Sequence, residues 1–117
     1  MNDKPKKTIK EVFDENPDGF SLNFKYGTLN TEENGYYVAL TDNPTTRKDL
    51  ETTYKKVWNF LKLLNVPDSF KIIGGWKEDN IYYLDASVWV LDKEDAHTLK
   101  RLFRQKALWD VENEEAI

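Results

Sequence analysis

A single histidine, His97, no cysteine and 21 Asp and Glu side chains define the reactive groups of this chain. Without cysteine there is no disulfide, no thiolate nucleophile and no cysteine metal ligand. Asp85, Ser87 and His97 supply the residue types of a hydrolase triad. Asp85 and Ser87 share one face of a strand, however, and His97 falls among Lys93, Glu94, Lys100 and Arg101 on the charged side of the following helix, so the three do not converge. No G-x-S-x-G sequence surrounds Ser87, and His97 reads as a solvated surface residue. Asp92, Glu94 and Asp95 could be taken for a metal cluster, but they lack calcium-loop spacing and stand where a helix start favours acids; they read as capping groups. Gly74-Gly75-Trp76 lacks the Lys-Ser/Thr and the following helix of a phosphate loop. Acids are plentiful, yet no pair stands out as the acid and base of a glycosidase. No catalytic residue, metal ligand or cofactor is assigned, and a non-enzyme is expected.

The elements that must position any site are clearer. Leu84, Ala86, Val88 and Val90 alternate through Ile81 to Leu91, the period of a half-buried strand. Asp92 caps a helix expected over Lys93 to Gln105, with basic residues in its last turn, and a short strand follows over Ala107 to Val111. Upstream, Thr8 and Glu11 form a capping box for a short helix ending near Glu15, and Asn16-Pro17-Asp18-Gly19 is a turn. Phe20 to Tyr26 alternates as an extended segment, and Gly27 to Gly35 is a loop or open hairpin. Tyr36 to Leu40 is a strand stopped by Asn43-Pro44, and Thr46 with Asp49 marks another helix start. Leu50, Tyr54, Val57, Trp58, Leu61 and Leu64 recur at helical spacing up to the stop at Pro67. Phe70 to Trp76 is a strand with a bulge or close backbone approach at Gly74-Gly75, and Lys77 to Asn80 turns into the long strand.

From Tyr36 the order is strand, helix, strand, strand, helix, strand. That predicts an α+β fold of ferredoxin-like split β-α-β-β-α-β type, a four-stranded antiparallel sheet with two helices on one face. An amino-terminal helix and an extended segment would be added to it. The domain division is a single domain with a flexible arm at 1–7, an addition at 8–35, the core at 36–111 and an acidic tail at 112–117.

If the aliphatic residues of the long strand face the helices, Tyr83, Asp85, Ser87 and Trp89 face away, and the same parity sends Tyr37 and Ala39 outward. On the preceding strand, Lys71 outward would put Phe70 and Ile72 in and leave Ile73 out; on the last, Asp110 outward would put Ala107, Trp109 and Val111 inside. The open face would carry Tyr37, Ile73, Tyr83 and Trp89 around Asp85 and Ser87, an apolar patch with a polar centre that needs a cover. Residues 20–26 with Phe20, Leu22 and Phe24, a second copy, or a foreign partner could each supply it. A second candidate surface is the helix edge with Lys100, Arg101 and Arg104.

Composition narrows the partners. Sixteen aromatic residues among 117 are more than one small core encloses. A net charge of −4 disfavours nucleic acid as the sole ligand, because phosphate neutralisation needs clustered Lys and Arg. An RNA-recognition motif shares the strand order, with Tyr36-Tyr37-Val38 on the first strand and Tyr83 and Trp89 on the third. Ile81 to Val90 has no basic residue or glycine, though, and Asp85 would repel phosphate. No apolar run is long enough to span a membrane, and the charged start lacks a signal segment, so a cytoplasmic location is expected.

G-Y-Y-V-A-L (Gly35 to Leu40), G-G-W (Gly74 to Trp76), Y-L-D-A-S-V-W-V (Tyr83 to Val90) and A-L-W-D (Ala107 to Asp110) resemble the elements of small proteins carried by bacteriophages and mobile elements. The turn Glu15 to Phe20 and Gln105 before the last strand fit as well. The motifs are structural and carry no assigned activity. The resemblance implies a genomic setting in which small acidic proteins disable host defence, including restriction and CRISPR systems, by binding a host protein or ribonucleoprotein. A homodimer is compatible with it.

Overall fold

The computed structural model describes residues 7–117; all but the last residue of the arm expected at 1–7 lies outside that range. Helix α1 (Ile9–Glu15) starts at Thr8, whose hydroxyl accepts the Glu11 amide in the expected capping box. Helix α2 (Leu50–Leu63) buries Leu50, Val57 and Leu61, with Tyr54, Trp58 and Leu64 at the core's edge. Each fully buried leucine or valine contributes about 1.5–3 kcal/mol. The Thr46–Asp49 box caps a lead-in turn rather than the helix: Thr46 Oγ1 accepts the Asp49 amide at 3.3 Å, and Asp49 offers the first helical turn no side-chain cap.

Among the described residues, seven strands make one antiparallel sheet. β1 (Phe20–Asn23), β4 (Lys71–Glu78), β5 (Ile81–Val90), β2 (Tyr36–Ala39), β6 (Trp109–Asp110) and β7 (Glu115–Ala116) lie side by side in that order. β3 (Asn43–Thr45) continues the line of β2 along β5. Asn43-Pro44 therefore does not end the pairing, because proline is tolerated on an edge strand. Between β2 and β3, Leu40, Thr41 and Asp42 oppose only Asp85 and Ala86, which is a bulge. Thr41 Oγ1 stands in for a main-chain carbonyl there and accepts the Ala86 amide at 3.0 Å.

Helix α3 (Lys93–Leu102) is capped by Asp92, which accepts the Asp95 amide. It stops earlier than its sequence pattern implies. Arg104 adopts φ +54°, the Gln105 amide reaches back to the Lys100 carbonyl and the Arg104 amide to that of Arg101, a Schellman closure with arginine in the glycine position. The core lies on one side of the sheet in two clusters. One joins α1 and α2 to Leu22, Ile73, Tyr82, Leu84 and Ala86; the other joins Ala96 and Leu99 of α3 to Val38, Val88 and Leu108.

The long strand has the expected parity, but two of its neighbours do not. Directly paired residues of antiparallel strands share a face. Ile73 pairs with Ala86 and Lys71 with Val88, so both stand under the helices, while Ile72 pairs with Ser87 on the open face. Phe70, expected inside, is exposed and stacks on Trp89. Lys71 can turn inward, with its whole side chain buried, because its ammonium meets Asp68 at 2.9 Å and the Phe24 ring at 5.1 Å. On β6, Trp109 pairs with Tyr37 on the open face, and Asp110 is buried on the helix side. That carboxylate accepts the Asn113 amide and side chain at 3.2 and 2.9 Å, which satisfies it within the turn. The residues expected as an acidic tail contain strand β7, and Ile117 exchanges two main-chain hydrogen bonds with Leu108.

Gly74-Gly75 makes no bulge; β4 runs in register from Lys71 to Glu78. The close approach is real, however: the Phe20 ring lies over Gly75, in space that a Cβ would occupy. Phe20, Leu22 and Phe24 all join the helix-side core, so residues 20–26 widen the sheet and do not roof its open face.

Candidate binding cleft on the open sheet face

Because side chains two residues apart share a face, the register stacks the open face of β4 and β5 in rows. Trp76 stands beside Tyr83, Gly74 beside Asp85 and Ile72 beside Ser87. The Trp76 and Tyr83 rings are stacked with centroids 4.1 Å apart and planes 8° from parallel. Beyond Ser87, Trp89 stacks on Phe70 at 5.9 Å and donates its indole N–H to the Asn34 carbonyl at 2.8 Å. Gly35 makes that seat possible: at φ +86° it approaches the indole so closely that a Cβ would overlap Nε1. On the other flank, Tyr37 is buried beneath the loop after β1, and its hydroxyl accepts the Asn30 side-chain amide. Burial pushes the Tyr37 hydroxyl's pKa up, against the pull of Asn30.

A cleft of about 710 Å³ opens on this face. Tyr37, Asp85 and Ser87 line it as the sequence implies, joined by Ile72, Gly74, Trp76 and Trp109. Tyr83 and Trp89 stand on the same face as its aromatic backing. Ile73 belongs to the opposite side, where it is fully buried. Trp76 and Trp109 are the residues that parity reasoning overlooked. Counting back in twos from Trp76 through Gly74 to Ile72 would have found the first; the second was obscured by assigning the charged Asp110 to solvent.

Asp85 is the unusual group. Its Oδ1 is buried with no hydrogen-bond partner among the described residues. Its pKa is raised to about 7, first by burial and then by the neighbouring Asp42 carboxyl, with the Asn43 amide opposing. The bulge between β2 and β3 delivers Asp42 to this position, a pairing with no signature in the local sequence. A neighbouring like charge disfavours the ionised form of Asp85, in the same direction as its burial. The remaining titratable residues lining the cleft are Asp18, Glu32 and Glu114, and none of its described lining residues is cationic.

The second candidate surface lies across the sheet, on α3. Lys100 donates to the Ile117 carbonyl at 3.3 Å and Arg101 to Thr98 Oγ1 at 3.4 Å, while Arg104 is exposed beyond the helix end. His97 is half-buried on the same helix, apart from Asp85 and Ser87. Among the described residues, no group of three or more His, Asp or Glu could hold a metal ion. No helix among them is long and apolar enough to cross a membrane. No protein-family model, curated protein or solved structure matches the chain, so the cleft is interpreted from its own geometry.

Proposed function

We propose that this chain is a non-catalytic binding protein that docks a host protein or ribonucleoprotein on the open face of its sheet. We further propose that it acts in the mobile-element setting implied by its motifs, as an inhibitor of a defence complex. The observation that carries the docking reading is the cleft itself. Trp76 and Trp109 are each about 40% exposed, at 40% and 42%, on a face that residues 20–26 leave open. Tryptophans so placed lose most water on association and are the commonest anchors of protein interfaces. The order β4-β5-β2-β6, with α2 and α3 as the connecting helices, supports a ferredoxin-like split β-α-β core, widened by β1 and β7. The acidic lining weighs against single-stranded RNA, whose phosphates it would repel.

Purification of the tagged chain from a host lysate tests this reading. A stoichiometric partner is expected with the native chain. It should be lost with Trp76→Ala/Trp109→Ala and retained when Lys100, Arg101 and Arg104 are reversed to glutamate. The opposite pattern would move the surface to α3, and turnover of a small molecule by the pure protein would overturn the class. Light scattering of the same sample distinguishes a homodimer.

A further inference from the structure

Gly74 is the one position in the middle of the open face with no side chain. Its row partner is Asp85, and the rows on either side hold Trp76 with Tyr83 and Ile72 with Ser87. The glycine does not relieve backbone strain, since its φ lies outside the left-handed range, and a Cβ there would make only ordinary contacts of 3.8–3.9 Å with Ser87 and Asp85. Its effect is to open a well one side chain wide between adjacent strands about 4.8 Å apart. Trp76, backed by the stacked Tyr83 ring, bounds it on one side, the fully buried Ile72 forms its aliphatic floor on the other, and the Asp85 carboxyl stands alongside. Farther out, the cleft is lined by Asp18, Glu32 and Glu114 with no opposing cation among the described residues.

An aromatic wall attracts a cation through the ring quadrupole, and an apolar wall accommodates the methylene stem of a long basic side chain. A carboxylate completes the set for guanidinium or ammonium. We infer that the well above Gly74 and beside Asp85 receives one arginine or lysine side chain presented by the partner protein. This rests on the reading of the open face as the docking surface and names the chemistry that surface selects. The cleft's volume, several times that of one side chain, accommodates the short exposed segment that would carry the cation. The charge complementarity favours a basic protein segment over an acidic peptide or a nucleic acid.

The test is an NMR titration of the full chain at pH 8, following the tryptophan indole resonances. The probes are acetyl-Gly-Arg-Gly-amide, its lysine counterpart and the citrulline peptide, which has arginine's shape without its charge. The cationic peptides should shift the Trp76 indole saturably, and the citrulline peptide should bind about tenfold more weakly or worse. Asp85→Asn should weaken the arginine peptide by a similar factor, with dispersed backbone resonances showing that the fold is kept. Gly74→Leu retains every charge but fills the well, and should abolish the shift. Equal binding of citrulline, an undiminished shift in Gly74→Leu, or no response to either cationic peptide would overturn the inference. The double tryptophan variant in the lysate experiment tests the docking surface separately, so the two failures are distinguishable.

Discussion

Asp85 shows how one residue can carry a cost that its surroundings explain. Unfolded, its carboxyl ionises near the ordinary 3.8; folded, near 7. Between those values the folded chain holds a proton that the unfolded chain has released. The contribution of Asp85 to stability is therefore greatest below about pH 4, falls as pH rises through the window, and levels off above about 7. Asp85→Asn keeps the shape and removes the charge. It should flatten that slope and raise stability at pH 8 by on the order of 1–3 kcal/mol, as read from urea denaturation at pH 4 and pH 8. Gly75 is constrained for a steric reason. Gly75→Ala sets a methyl into the Phe20 ring, and overpacking of this kind should cost about 1–3 kcal/mol in the same assay. Both residues could be singled out in the sequence as unusual, Asp85 in an aliphatic strand and Gly75 in a glycine pair. Their reasons could not, because Asp42 and Phe20 reach them from other strands.

Among the elements, α3 ends against its propensity. Lys100 to Gln105 contains no glycine or proline, and the helical pattern continues in the sequence, yet the chain reverses after Leu102. The left-handed conformation of Arg104 costs about 1 kcal/mol for a residue with a Cβ. Arg104→Gly should therefore stabilise the protein by about 0.5–1 kcal/mol in thermal denaturation, leaving the helical circular dichroism unchanged. Strand β4 teaches a related lesson about charge. Ammonium groups avoid burial, so the sequence points Lys71 to solvent; its whole side chain is nevertheless buried, and the charge is met by Asp68 and a ring face. Asp68→Asn should leave that ammonium without its carboxylate and destabilise the fold. Lys71→Met, which removes the charge and keeps the stem, should be tolerated far better. Chemical denaturation of the pair decides between them.

Across the whole molecule, the two core clusters lie on one side of a wide sheet, and an exposed ion pair adds to the burial of Ile9, Val12 and Phe13 in holding the amino-terminal helix. Arg47 grips Asp14 with two bonds of 2.8 Å and donates to the Tyr82 hydroxyl at 3.2 Å. Such a solvated pair adds little to global stability. Arg47→Ala should instead speed amide exchange in α1 while α2 and β5 stay protected, as hydrogen exchange would show. The three helices and the caps at Thr8 and Asp92 were legible in the chain, since periodicity and capping act between residues a few positions apart: Thr8 with Glu11, Asp92 with Asp95, Leu50 through Leu64. The parity of β5 was legible for the same reason, with ten residues alternating without interruption. Parity in β4 and β6 was not, because a short strand with one charge and adjacent apolar residues fits either face. Register with β5 and β2 settled it, sending Ile72, Trp76 and Trp109 to the open side. The carboxyl pair, the seat of Trp89 over Gly35 and the well beside Asp85 arise from residues brought together across strands, and no local spacing encodes such meetings.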